Sequence, residues 1–140
     1  MEAVAVAAPF ARDLWLLGDP SQLGAARRFA EDAAAVFGFD EDETYQFTFA
    51  VNEAVSNAIE HGETFEDGTV RLRIDDEADG LTFSVLDRGS FTPSSPRKVD
   101  GVADRGRGLA FMAAMVDDLQ VKPMEEGTLV RLTKRRVVTA

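Results

Sequence analysis

The chain has 140 residues, 45% apolar and 29% charged, enough for one domain with a real hydrophobic core. It contains no cysteine, which excludes disulfides and thiolate metal sites and fits a reducing cytoplasm. The formal net charge of −10 argues against a nucleic-acid surface; it also means that any bound anion must rely on local backbone donors, arginines and a metal ion.

Residues Met1 to Pro9 are apolar but few, include Glu2 and lack a basic leader, so they do not read as a secretion signal; nothing resembles a membrane span. Ala11 to Leu17 is a plausible first strand. Asp19-Pro20-Ser21-Gln22 reads as a helix start, with Asp19 as cap, Pro20 in the first position and Gln22 at the capping-box position. Leu23, Ala26, Ala30, Ala33 and Phe37 follow at helical spacing, and Gly38 closes the helix. A second capping box, Asp40 to Glu43, opens a helix to about His61 with a core stripe of Phe47, Val51, Ala54, Val55 and Ala58.

The period then changes to two. Val70, Leu72 and Ile74 alternate with polar residues, as do Leu81, Phe83 and Val85, and the turn-like Asp76 to Gly80 makes these a hairpin. Residues 88–105 are rich in Pro, Ser, Gly and charge without periodicity; a loop of this length in a compact domain is usually a functional lid or a disordered segment, and the lid is placed at about 90–105. Gly106 to Val116 reads as a glycine-led helix. Leu119 to Lys122 and Thr128 to Thr133 form a last hairpin, and Lys134-Arg135-Arg136 reads as a solvated strand end. This order predicts a two-layer α/β sandwich, helices over one face of a mixed, mostly antiparallel sheet. No repeat or linker divides it, and residues 1–140 read as a single domain.

Four constellations carry chemistry. Glu53, Asn57 and His61 fall at i, i+4 and i+8 on the second helix, along one side beside the apolar stripe. Glu53 offers a carboxylate for proton abstraction and Asn57 a neutral oxygen for a hard cation; magnesium needs only one or two protein ligands when phosphates and water supply the rest. Asp87-Arg88-Gly89 ends an alternating strand; the carboxylate can accept from an exocyclic amine, and the glycine lets a flat ring approach. Arg105-Gly106-Arg107-Gly108-Leu109 leads from the lid into a helix, a setting where backbone N–H groups and guanidiniums suit phosphates. Gly127-Thr128 opens the last strand. Each has an ordinary structural alternative: a polar helix edge, a strand-ending turn, a hinge with solvated arginines, a good strand residue.

In order and spacing the four together resemble the GHKL ATPase superfamily with its Bergerat ATP-binding fold. The resemblance extends from about Asp19 to Thr133 and is greatest to the anti-sigma-factor serine/threonine kinases, whose helix reads like Asn57-Ala58-Ile59-Glu60-His61-Gly62 and which share the Gly-Arg-Gly-Leu stretch. It implies Glu53 as general base, Asn57 as magnesium ligand, Asp87 as adenine reader beside Gly89, and Thr128 assisting on the adenine side. Gly106, Gly108 and the adjacent backbone, with Arg107 and Leu109, would hold phosphates, Arg105 would close the lid, and His61 would border the nucleotide or shape the helix end. Phe91 stands where the family often has a second glycine, a departure that touches the lid's hinge. The resemblance further implies ATP and Mg2+, a sigma factor and a STAS-domain anti-anti-sigma factor as partners, and a homodimer. A nucleotide-binding module without catalysis and a detached histidine-kinase ATPase domain are the alternatives.

Overall fold

A computed structural model describes residues 11–89 and 109–137 of the chain. The first strand, β1 (Ala11–Leu17), turns Leu14 and Leu16 inward and leaves Trp15 and Leu17 exposed. Asp19 does not cap a long helix. Its carboxylate accepts from Ser21 N at 3.0 Å, a reach of two residues, and the chain winds a single 3-10 turn at Pro20–Gln22. Helix α1 (Leu23–Phe37) starts after that turn, and Gly38 ends it at φ +98°, a conformation that glycine adopts without strain.

Helix α2 (Glu41–His61) begins with the predicted capping box: Asp40 accepts from Glu43 N, and Glu43 accepts from Asp40 N, both at 2.8 Å. Acidic Glu41, Asp42 and Glu43 in its first turn and His61 in its last both suit the helix dipole. The predicted stripe of Phe47, Val51, Ala54, Val55 and Ala58 is fully buried. Alanines on both helices (Ala26, Ala30, Ala33 and Ala34 on α1; Ala50, Ala54 and Ala58 on α2) keep the side chains small where α1 packs on α2.

Strands β2 (Thr69–Glu77) and β3 (Gly80–Asp87) run three residues further toward each other than periodicity suggested, since only Ala78 and Asp79 form the turn. β4 (Asp118–Pro123) and β5 (Thr128–Arg135) make the last hairpin. Between the two hairpins, residues 109–115 are helical, within the predicted 106–116. The sheet has five strands in the order β1-β2-β3-β5-β4, and every neighbouring pair is antiparallel.

One face of that sheet is apolar. Leu16, Val70, Leu72, Ile74, Leu81, Phe83, Val85, Val130 and Leu132 form a single cluster with the buried faces of α1 and α2 and with Met112. Each large side chain there contributes about 1.5–3 kcal/mol by leaving water. The residues of opposite parity, among them Trp15, Arg71, Arg73, Ser84 and Arg131, lie on the other face. Among the described residues no helix is long and apolar enough to cross a membrane.

The basic run at the end of β5 departs from expectation. Lys134 has the parity of Val130 and Leu132, so it points inward: it is 7% exposed and donates to Gln46 Oε1 at 2.5 Å. Arg136 lies over the Phe37 ring at 4.4 Å and donates to the Phe37 carbonyl at 2.6 Å, meeting one of α1's last free acceptors. Arg135 keeps the expected solvated character, half-exposed beside Asp79, and Arg136 also stays exposed alongside its Phe37 contacts.

Candidate functional site

Three chain segments distant in sequence meet at one end of the sheet. They are the C-terminus of α2, the end of β3 and the start of β5. Asp87 closes β3 with inward parity and is 1% exposed. Its Oδ1 accepts from Gly89 N at 2.7 Å, a local turn that ends the strand. Gly62, just past the end of α2, lies flat against the carboxylate; a Cβ there would come within 2.5 Å of Asp87 Cγ and 2.6 Å of Oδ2.

The pairing of Asp87 with Thr128 in the β3–β5 register fixes the third wall. Thr128, also 1% exposed, donates its hydroxyl to the Gly89 carbonyl at 2.7 Å. Arg88 N donates to the Glu63 carbonyl at 2.7 Å, and a Cβ on Gly89 would stand 3.1 Å from Glu63 N. Gly127, at φ +157°, brings its backbone against Asp87 and Arg88 closely enough to exclude any side chain. The result is a buried carboxylate framed closely by glycines and backbone, a strong acceptor for an amine.

Along α2, Glu53 is half-buried, Asn57 is 9% exposed and His61 lies at the helix's last turn. The carboxamide nitrogen of Asn57 is buried without a hydrogen-bond partner among the described residues. An unmet buried amide costs about 1–3 kcal/mol, a cost that a partner outside the described residues would remove. His61 Nε2 lies 3.9 Å from Glu60 Oε2. Asp87, Gly89 and Thr128 are thus joined directly, whereas Glu53, Asn57 and His61 are aligned by the helix without described hydrogen bonds to that cluster.

Leu109 opens the helical residues 109–115 and packs against the core. Arg105, Gly106, Arg107, Gly108, Phe91 and the lid at about 90–105 lie outside the described residues. Glu63 was not named by sequence, and Gly62 and Gly127 entered only as neighbours within the quoted motifs, without a site role of their own. Their signal was present in Gly62 directly after the polar column and Gly127 directly before Thr128, but both positions are also common for turns.

The histidine kinase-like ATPase domain family matches residues 16–134. The chain belongs to that family. Serine-protein kinase RsbW of Bacillus subtilis (strain 168) is 30% identical over 129 residues, 82% of this chain and 79% of that protein. The anti-sigma F factor of Clostridium botulinum (strain Eklund 17B / Type B) is 30% identical over 103 residues, 67% of this chain and 72% of that protein. The crystal structure of the RsbU and RsbW domains of a Mycobacterium tuberculosis protein superposes with a TM-score of 0.67 at 23% identity, covering 93% of this chain and 35% of that one. That likeness concerns the fold. The GHKL-type resemblance read from the motifs therefore holds, and these relatives group the chain with the anti-sigma-factor kinases.

Proposed function

We propose that this ATPase-family chain binds Mg·ATP at the Asp87–Gly62–Thr128 end of the sheet and is an anti-sigma factor. In this reading it phosphorylates a STAS-domain antagonist on serine or threonine while holding a sigma factor, acting as a cytoplasmic homodimer. The observation that carries the reading is the buried Asp87 carboxylate, framed by Gly62, Gly89 and Thr128 where an adenine amine would donate to it.

Magnesium suits the donor set. Among the described residues no group of three or more His, Cys, Asp and Glu side chains could hold a metal ion, so an all-protein cage is not offered. The Asn57 carboxamide, whose nitrogen has no hydrogen-bond partner among the described residues, is a single neutral donor group, and turning χ2 by half a turn exchanges its oxygen and nitrogen. When bound, the ion would supply charge neutralisation along the phosphates. Asn57 holds it, Asp87 and Thr128 orient the base, and His61 borders the nucleotide. Arg105, Gly106, Arg107, Gly108 and Leu109 keep the phosphate roles that their sequence pattern suggests.

Phosphoryl transfer asks little covalent work of the protein. The acceptor hydroxyl forms the new O–P bond as the bond to the β-phosphate oxygen breaks; its proton passes to Glu53, and ADP leaves. Glu53 is half-buried and has no hydrogen bond or ion pair among the described residues, which leaves its carboxylate available as the base. The test is mass spectrometry of a STAS-domain protein from the same genome after incubation with the chain and Mg·ATP. One phosphate on serine or threonine is expected, lost with Asn57→Ala and slowed about 10²–10⁴-fold with Glu53→Ala while ATP still binds. Wild-type transfer rates in Glu53→Ala would remove the base assignment. Calorimetric ATP binding without any transfer would favour a nucleotide-gated binding module.

A further inference from the structure

The segment that walls the base end of the site is held on its far side by residues that the nucleotide reading does not use. Arg71, on the sheet face away from the helices, pairs with Trp15 across β1 and β2. Its guanidinium carbon lies 4.3 Å from the centre of the Trp15 ring and 3.9 Å from that of Phe65. Arg71 Nε is buried and has no hydrogen-bond partner among the described residues, so the aromatic faces hold this end of the side chain. Beside it opens a cleft of about 510 Å³, also lined by Asp67, Arg88 and Glu126.

Phe65 belongs to the connection between α2 and β2, and that connection is a short, internally fastened unit. Phe65 N donates to Thr69 O at 2.8 Å, Gly68 N to Phe65 O at 2.8 Å, and Gly18 N to Gly68 O at 2.9 Å. Its other end is the wall itself: Gly62 against the Asp87 carboxylate, and Glu63 O accepting from Arg88 N at 2.7 Å. One rigid connection of this length has the base site at one end and the Arg71 contacts at the other.

We propose that Arg71 is a positioning residue for the base end of the nucleotide site. Through Phe65 it presses residues 62–65 toward Asp87, and through Trp15 it reports occupancy of that site on the open face of the sheet. The inference rests on the nucleotide reading above. Trp15 is the chain's single tryptophan and is 59% exposed, so its ring is both the reporter and the accessible surface that changes. Each cation–π contact is worth roughly a factor of two to five in equilibrium population. Loss of both should therefore loosen the base end about tenfold and leave the phosphate end alone.

The experiment follows Trp15 emission and calorimetry in parallel. Titration of the wild type with Mg·ADP should shift the emission with a midpoint at the calorimetric Kd. Arg71→Met should abolish the emission response, raise the Kd for Mg·ATP about three- to tenfold, and change that for Mg·GTP less than twofold, because guanine puts a carbonyl acceptor, O6, where adenine has the 6-amine that would donate to Asp87. ATP-over-GTP selectivity therefore narrows, a readout that general destabilisation would not move, and Arg71→Lys, which keeps the cation, should recover part of it. Calorimetric binding with silent Trp15 emission in the wild type would overturn the coupling alone, whether or not Arg71→Met folds, as would unchanged selectivity in that variant. Absence of any calorimetric binding by the wild type would overturn the nucleotide reading and this inference with it.

Discussion

Replacing Thr128 by valine tests whether the β5 start is a wall of the site or only a strand residue. The change keeps shape and removes one hydroxyl. That hydroxyl donates to the Gly89 carbonyl at 2.7 Å from a position 1% exposed. The loss removes a neutral hydrogen bond and strands a buried acceptor; together these cost about 1.5–3 kcal/mol. For a chain of this length, that lowers Tm by about 5–10 °C. The Gly89 turn that seats Asp87 depends on the same bond, so nucleotide affinity should fall with stability, by about three- to tenfold in Kd. Thermal unfolding and calorimetry with Mg·ADP measure the two effects, and Thr128→Ser, which keeps the donor, should recover most of both. A Thr128→Val protein that melts with the wild type and binds nucleotide as tightly would refute the reasoning, because the bond would then contribute nothing that packing does not supply.

Two further outcomes follow from local chemistry. Glu43 is 3% exposed and accepts from Asp40 N and Val137 N, so Glu43→Ala leaves two backbone donors without their acceptor and should cost about 2–4 kcal/mol in urea unfolding, with Glu43→Gln costing less; equal midpoints for Glu43→Ala and wild type would dismiss the clamp. The Thr69 hydroxyl, donating at 2.6 Å, holds the Asp67 carboxyl below its ordinary 3.8. Folding thus favours the ionised form; its stabilisation is complete above the ordinary value and is lost as pH falls through the lower folded one. The stability gap between wild type and Thr69→Val should accordingly narrow below about pH 3.8, and a gap constant down to pH 2.5 would contradict the assignment.

The elements were legible because the chain states them in single-period language. The Asp40–Glu43 box, the Gly38 stop and the alternation on both sides of Gly80 each have one favoured local structure, and each forms. The misreadings fall where two local solutions compete. Asp19 can cap at two residues or three, and it takes the nearer donor. Lys134 looks like part of a basic tail, yet strand parity carries it inward under α2. Within the site, Asp87, Asn57 and Thr128 stood out through the order and spacing of their motifs taken together, since each position alone has an ordinary structural reading. Arg71 did not, because an arginine alternating with Val70 and Leu72 is the ordinary pattern of a half-covered sheet, and only the register with Trp15 and the fold-back of Phe65 make it more.

The same structure answers the charge problem raised by composition. A chain with a net charge of −10 repels an anionic nucleotide at long range, so recognition has to be local. The described end of the site contributes a buried acceptor, glycine backbone and one neutral carboxamide, none of which adds attraction for phosphate. Under the proposed function, base reading and phosphate holding would be separate tasks on separate segments: the first on the frame of α2, β3 and β5, the second on Mg2+ and the arginine–glycine stretch before Leu109. Such a division predicts that raising ionic strength should tighten or leave unchanged the binding of adenosine diphosphate, since screening removes the repulsion of the chain as a whole faster than it weakens short, desolvated contacts. A steep loss of affinity with salt would instead mean that mobile surface cations dominate, and the frame around Asp87 would lose its claim to set specificity.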